Sequence, residues 1–505
     1  MFRFRRAGPL LAMVCGLASP FAFAPFGIWP LVVVTSAGLF TSWRLAGSAG
    51  RAALNGFLFG LGLFGVGISW VYISLHRFGD MHRPLAVALV VLFVAFLSLF
   101  PAAVGYASFR LLPRRGLRPA LGMPALWVLS EWLRGRLFTG FPWLSLGYSQ
   151  AGHVLGNFAV YGGVYATSFA LALTASLVAW MVVEFRPGAA AAVFSVIAFI
   201  YLAAFGLGFI SWVHPTGAPL RVALVQGDVS DSLKWGPGEL ARIVGRYLAL
   251  TRRAPAGTRV VIWPETAIPD YLSALRPKVI PELRRYARRH GLEFLVGLIE
   301  DRGSRAYNAV ADIRPGHALR LYRKRHLVPF GEYLPLPDLL SPLLAYLHIP
   351  MSDLNAWHGA QAPLPAGGQE LGVSVCYEDV FGRDIRRLLP DATVLVNVSD
   401  DGWYGRSAAR DQHLQIAQMR AIESGRFMLS DTNDGITAVI DEHGRVIARI
   451  PSFRSGLLSA QVQPYVGMTP YVRYGSGPMV ALAILVIIAV RIRIPGRRPR
   501  SRTIR

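Results

Sequence analysis

Apolar residues run nearly unbroken through several long stretches in the first 212 positions of the chain. They then break into short apolar segments separated by charged and Pro/Gly-rich turns, and one long apolar run returns near the C-terminus. The long runs predict helices at 8–23, 26–43, 54–75, 84–112, 119–133, 160–183 and 189–211, and an eighth at 475–492 in GPMVALAILVIIAV. Each reaches or approaches the ~20 residues that a bilayer core demands. The middle pattern, at 218–466, is that of an α/β domain standing outside the membrane. The expected organisation is therefore a membrane domain at 1–212, the α/β domain at 218–466, a C-terminal transmembrane helix at 475–492 and a basic tail at 493–505.

Composition supports that division: 53% of the 505 residues are hydrophobic, and mean hydropathy is +0.40. The net charge of +23 changes the picture only through its placement. Arg3, Arg5, Arg6, Arg44, Arg51, Arg110, Arg114, Arg115, Arg118 and Arg186 fall in one set of loops, and the tail adds Arg491, Arg493, Arg497, Arg498, Arg500, Arg502 and Arg505. The alternate loops carry Arg77, Arg83, Arg134 and Arg136. Excess arginine marks the cytoplasmic side, so both termini are expected inside and the α/β domain outside. Much of the positive charge is then a topology signal, and nucleic acid is excluded as a partner. The first 24 residues also fit a cleavable signal peptide; we favour a retained helix, and cleavage would leave the other helices oriented the same way.

Two cysteines remain. Cys15 lies in the first membrane helix and Cys376 in LGVSVCYEDV of the exported domain, so the two are not expected to bridge. A lone thiol in an oxidising compartment is a candidate for reactivity; the bland alternative is a buried structural cysteine. Its neighbours favour the first. Four apolar segments end abruptly in functional residues: RVVIWPETA delivers Glu265, LRLYRKRHLVPFGEYLP delivers Lys324 and then Glu332, LGVSVCYED delivers Cys376, and ATVLVNVSDDGWYG ends in Ser399, Asp400 and Asp401. Reactive groups of α/β sheets gather where parallel strands end. A thiol is mostly protonated at neutral pH and needs a base, which Glu265 can supply. Lys324 can stabilise the thiolate and then an oxyanion, with the Tyr377 N–H as a second donor. Separately, each has a plain reading: a surface turn residue, a member of a solvated RKR cluster, a helix-capping acid.

As a set, WPET, YRKRHLVPFGEYLP and CYED resemble the Glu–Lys–Cys motifs of the nitrilase (carbon–nitrogen hydrolase) superfamily. With the added membrane helices, nearly the whole chain resembles the apolipoprotein N-acyltransferases of Gram-negative bacteria. That resemblance implies a multi-pass helical membrane domain of eight transmembrane helices with an inserted nitrilase-like αββα sandwich, in the inner membrane with the sandwich in the periplasm. It places the triad on Glu265 (general base), Lys324 (oxyanion and thiolate stabilisation) and Cys376 (nucleophile). It makes Glu332 a second pocket carboxylate, matches Tyr377 and Glu378 to the residues after the nucleophile, and puts Trp235 in a substrate loop. It implies a phospholipid acyl donor, a diacylglyceryl apolipoprotein acceptor, and no metal or cofactor. One departure is visible: SDDGWYG has Asp400 and Gly402 where the family pattern reads more like SNDAWFG, which leaves the role of Asp400 open. The alternative activity is that of a membrane-tethered amidase or nitrilase.

Lesser features complete the reading. The apolar stretch 330–351 fits a lid in the membrane interface, around Leu339–Met351, about as well as a segment packed into the domain. FTGFPWLSLGYSQ, 138–150, is read as aromatic anchors at headgroup level. Residues 411–426 are read as an amphipathic helix covering the sheet, with His413 structural, and Glu131 as a partner of Arg134.

Overall fold

The computed structural model describes residues 2–184, 187–333 and 354–492. The expected lid around Leu339–Met351 and the basic tail at 493–505 lie outside them. Seven long helices come first: α1 (Phe2–Ala18), α2 (Pro30–Leu45), α3 (Ala49–Gly67), α4 (Arg83–Leu111), α5 (Arg118–Arg134), α6 (Val164–Val183) and α7 (Pro187–Leu207). An eighth apolar helix, Gly477–Arg491, follows the α/β region. All eight apolar runs are thus helical. By length and composition α3, α4, α6 and residues 190–207 of α7 can cross a membrane. The others have 15 to 17 residues, which rise about 25 Å against a core of about 30 Å; this is short of the eight full spans expected.

Lipid gives helices no hydrophobic reason to associate, so close backbone contact must hold them. Glycines provide it. A Cβ at Gly16 of α1 would stand 2.2 Å from the Phe59 carbonyl oxygen of α3, and one at Gly56 of α3 would stand 2.1 Å from that of Pro101 in α4.

The α/β region hangs from this bundle by a two-stranded stem, in which Val213–Pro215 pairs antiparallel with Tyr465–Gly467. Beyond the stem run β1 (Leu220–Gln226), α8 (Leu240–Thr251), β2 (Val260–Trp263), α9 (Val279–His290), β3 (Glu293–Arg302), β4 (Arg305–Ile313), β5 (Arg320–Arg323), β6 (Leu364–Ala366), β7 (Gln369–Val375), β8 (Val394–Ser399), α10 (Ala409–Ser424), β9 (Met428–Thr432), β10 (Thr437–Ile440), β11 (Val446–Ile450) and β12 (Gly456–Val462). The eighth apolar helix, Gly477–Arg491, is α11. Two six-stranded sheets form, in the orders β12-β1-β2-β3-β4-β5 and β11-β10-β9-β8-β7-β6. The pairs β1/β2, β2/β3, β7/β8 and β8/β9 are parallel.

Side-chain alternation along the strands explains the layering. Val222, Leu224, Val260, Ile262 and Leu295 share one apolar core with Val373 and Val396 of the other sheet, whereas Ala223, Val225, Val261 and Phe294 pack with α8 and α9. Sheet lies on sheet, with helices outside. The parallel strands of each sheet all end at the same pole, where the candidate residues sit.

Helix α10 corrects its sequence reading. It is buried on nearly every side because it fills the joint between the second sheet and the membrane bundle. Its Gln412 donates to the Gly67 carbonyl at 3.2 Å and accepts from Trp143 Nε1 at 2.6 Å, and Gln415 accepts from the Ala24 N–H at 3.3 Å. The stretch 138–150 corrects too: Phe138 is exposed, but Trp143 and Tyr148 are buried in the same joint. Among the described residues no ion pair joins Glu131 to Arg134; Arg134 donates to the carbonyls of Phe141 and Trp143, both at 2.6 Å, and Glu131 accepts from the Leu146 N–H at 2.8 Å. The two charges still act on each other through space, while their hydrogen bonds hold this loop.

Candidate active site

Glu265 follows β2 in a tight turn closed by the Ala267 N–H donating to the Pro264 carbonyl at 3.1 Å, with Thr266 at φ +48°. The neighbouring strand gives way to that turn at one point. A Cβ on Gly297 would sit 2.1 Å from the Pro264 oxygen and 2.8 Å from the Glu265 Cα, so only glycine fits there. Lys324 follows β5, its N–H donating to the Asn308 carbonyl at 2.8 Å and its own carbonyl accepting from the Trp357 N–H at 3.0 Å. Cys376 follows β7 at φ +50°, a left-handed conformation costing a non-glycine residue about 1–2 kcal/mol. Its carbonyl is pinned by Asn397 Nδ2 at 3.0 Å.

These turns converge. Lys324 Nζ donates to Glu265 Oε1 at 3.1 Å and to Glu332 Oε1 at 2.9 Å. Asn308 Nδ2 donates to the same two oxygens, at 2.6 and 3.1 Å. The Asp400 N–H donates to Glu265 Oε2 at 2.8 Å, and the Val328 N–H to Glu332 Oε2 at 2.9 Å. Glu265, Lys324, Glu332 and Cys376 are all buried.

Burial works against every charge here. It raises the Glu265 carboxyl, which Lys324 draws back down and Glu332 pushes up again. It opposes the Lys324 ammonium, but Glu265 and Glu332 together hold that group well above the usual lysine range. The Cys376 thiol is pushed well up, by burial first and by the negative Glu265 second, with Lys324 acting the other way. Burial and Glu265 thus favour the protonated form of the Cys376 thiol, while the two carboxyl groups favour the ammonium form of Lys324.

Glu378 is placed differently from the pocket carboxylates. It accepts from the N–H groups of Val375, Arg325 and His326 at 2.7, 2.6 and 3.3 Å, and from the Tyr322 hydroxyl at 3.1 Å. It staples the turn that carries Lys324 to the turn that carries Cys376. Burial raises its carboxyl to about 7, against those backbone donors. The Tyr377 ring stacks on Trp143 at 17° and its hydroxyl donates to the Gly140 carbonyl at 3.1 Å, so this side chain joins the cysteine turn to the membrane domain. Trp235 stands half exposed, next to Lys234, which bonds the Glu265 carbonyl at 3.2 Å and pairs with Asp400. Asp400 also accepts from Asn433 Nδ2 at 3.2 Å. Its departure from the family pattern thus acquires a physical setting, an ion pair with Lys234.

The sequence reading missed Asn308 and Lys234 as parts of this region, and named His413 only as structural, without its partners. Asn308 had a signal, a lone amide inside the apolar strand RAYNAVADI. His413 is held between Asp401 Oδ1, 3.2 Å from Nδ1, and Asp379 Oδ1, 3.0 Å from Nε2. Burial opposes its charge, yet the two aspartates keep it well above the ordinary histidine range.

Comparison with known proteins identifies both parts of the chain. Residues 15–177 match the family described as apolipoprotein N-acyltransferase N-terminal domain, and residues 221–471 match carbon-nitrogen hydrolase. The chain is 42% identical over 484 residues to the apolipoprotein N-acyltransferase of Nitrosomonas europaea, which covers 95% of this chain and 96% of that one. It is 42% identical over 485 residues to that of Methylococcus capsulatus, covering 95% and 94%. A solved carbon–nitrogen hydrolase superfamily protein of Xanthomonas campestris is 19% identical at a TM-score of 0.38, over 54% of this chain and 97% of its own.

Proposed function

Because the chain belongs to the apolipoprotein N-acyltransferase family, N-acylation of lipoproteins is its activity, and we propose that it runs through an acyl-enzyme on Cys376. As the sulfur attacks an ester carbonyl of a phospholipid, Glu265 takes the thiol proton. The Lys324 ammonium and the Tyr377 N–H hold the oxyanion of the tetrahedral intermediate. Its collapse breaks the C–O bond, the lysophospholipid alkoxide leaves with the proton from Glu265, and a thioester remains. The amine of a lipoprotein's diacylglyceryl-cysteine then attacks the thioester, Glu265 accepts the amine proton, and the sulfur leaves and is reprotonated. The product is an amide.

One observation carries this reading: Lys324 bonds both Glu265 and Glu332 and, with Glu265, acts electrostatically on the Cys376 thiol. The Asn308 and Asp400 N–H bonds keep Glu265 aimed and poised between acid and base. We place the sheets on the periplasmic side of the inner membrane with both termini cytoplasmic, supported by the arginine distribution. A substrate that stays in the bilayer suits this arrangement, since each buried CH₂ withdrawn from lipid costs about 0.8 kcal/mol.

The experiment is mass spectrometry of the full-length protein after incubation with phospholipid. We expect a fatty-acyl adduct on Cys376 that discharges onto an N-terminal diacylglyceryl-Cys peptide, and no adduct or transfer above background in Cys376→Ser. Rapid release of free fatty acid with no peptide acylation would instead mark a hydrolase.

A further inference from the structure

A second cleft opens away from the thiol, between the end of α5, the start of α11 and the turn that follows the cysteine segment. It encloses about 390 Å³ and is lined by Arg136, Arg383 and Arg386, with Trp132, Val480 and Ile484 along one wall. Neither this cleft nor the smaller one beside it is lined by Glu265, Lys324 or Cys376. Among the described residues Arg136 and Arg386 form no ion pair, and the carboxylate nearest the cluster, Asp384, is already shared by Arg383, Arg387 and His326. Positive charge is therefore in excess.

Two of the three guanidiniums are seated by the fold. Arg136 lies over the Trp132 ring at 4.2 Å and reaches the Ser476 hydroxyl at 3.5 Å. Arg386 lies so close to the joint before α11 that a Cβ on Gly475 would stand 2.1 Å from its Nη1, and Gly475 itself has φ +66°. The cleft's depth in the membrane follows from position alone. Arg136 stands two residues past the last residue of α5, and Gly477 is the first of α11, so the arginines lie at a membrane surface whichever way the helices point. Below them Val480 and Ile484, one turn apart on α11, continue into lipid, with Ile484 exposed.

We propose that this cleft binds a non-reacting phospholipid of net negative charge, its phosphate on Arg136, Arg383 and Arg386 and one acyl chain along Trp132, Val480 and Ile484. Guanidinium groups pair phosphate oxygens through two parallel bonds, and the apolar wall takes the chain that a free ion lacks. The occupied cleft fastens Gly382–Arg386, immediately downstream of the cysteine turn, to the bilayer surface.

The test is native mass spectrometry of the full-length protein released from detergent, offered phosphatidylglycerol, phosphatidylethanolamine or inorganic phosphate. Cys376→Ser serves as the background, so that acyl transfer plays no part and failure here leaves the acyl-enzyme reading untouched. We expect retained phosphatidylglycerol at several times the level of phosphatidylethanolamine, a tenfold or greater loss in Arg136→Gln/Arg386→Gln, and retention in Arg136→Lys/Arg386→Lys. Ala481→Trp, a change on the exposed face of α11, should also evict the lipid while leaving the guanidiniums in place, and it decides the matter if the Gln pair fails to fold. Equal retention of the two lipids, retention unchanged in Ala481→Trp, or complete displacement by millimolar inorganic phosphate would overturn the proposal.

Discussion

Two buried basic side chains of this domain each stand between two carboxyl groups: Lys324 between Glu265 and Glu332, and His413 between Asp379 and Asp401. Both are pushed down by burial and held well up by their acids. Charge and depth do not distinguish them, but spare capacity does. Both ring nitrogens of His413 are occupied, and the clamp ties helix α10 to the turns after β7 and β8. Lys324 has one more N–H than it has carboxylate partners, and its charge acts directly on the Cys376 thiol. A buried ion cluster can serve as a tool or as a rivet; among the described residues Lys324 keeps a third N–H beyond its two carboxylate partners, the donor that the proposed mechanism aims at the oxyanion.

Breaking each cluster sharpens that distinction. The largest effect is expected from Lys324→Met: acylation of Cys376, followed by rapid-quench mass spectrometry, should slow by about 10²–10³, with much of the protein still folded. Next is His413→Ala, which strands two buried aspartates. We expect a stability loss of about 3–5 kcal/mol, read from the thermal midpoint, while acylation per titrated active site falls less than about tenfold. A comparable loss of chemistry in both variants would erase the contrast.

A smaller effect is expected at Glu378, whose folded carboxyl is raised from 4.5 to about 7. Between those values the folded chain keeps a proton that the unfolded chain has released, so this group's contribution is complete below about 4.5 and declines as pH rises through 7. The decline is capped at about 3 kcal/mol. Glu378→Gln should flatten the wild-type fall in thermal midpoint across that window; an unchanged slope would contradict the assignment. The smallest change is expected from Asn308→Ala, an acylation loss of about tenfold. Removing a donor to the Glu265 carboxylate favours its protonated form, so the acid limb of the pH–rate profile should move to higher pH, and a limb moved the other way would refute that role.

Much of this was legible in the sequence because the signals were long or abrupt. Apolar runs of span length became helices, and strands that end in a Glu, a Lys and a Cys brought those residues to one pole. What escaped was ambiguous in kind. An aromatic loop such as 138–150 has the same composition whether it floats at headgroups or seals two domains together, and only the placement of α10 separates the cases. Helix α10 itself looks amphipathic because its polar residues bond other buried groups instead of water. Lys234 and Asp400 lie 166 positions apart, and no local pattern relates them. The shortfall from eight full-length spans has the same origin, since hydropathy marks where a run is apolar but not where irregular turns close its ends.

The hydroxyl of Tyr377 grips the Gly140 carbonyl, one residue from the sulfur on one side and inside the bundle's loop on the other. Mechanical load on the bundle therefore has a direct tether to the turn that carries Cys376. Compressing or thinning the surrounding bilayer would pull on that tether, making turnover responsive to lateral pressure even where lipid chemistry and substrate concentration stay fixed.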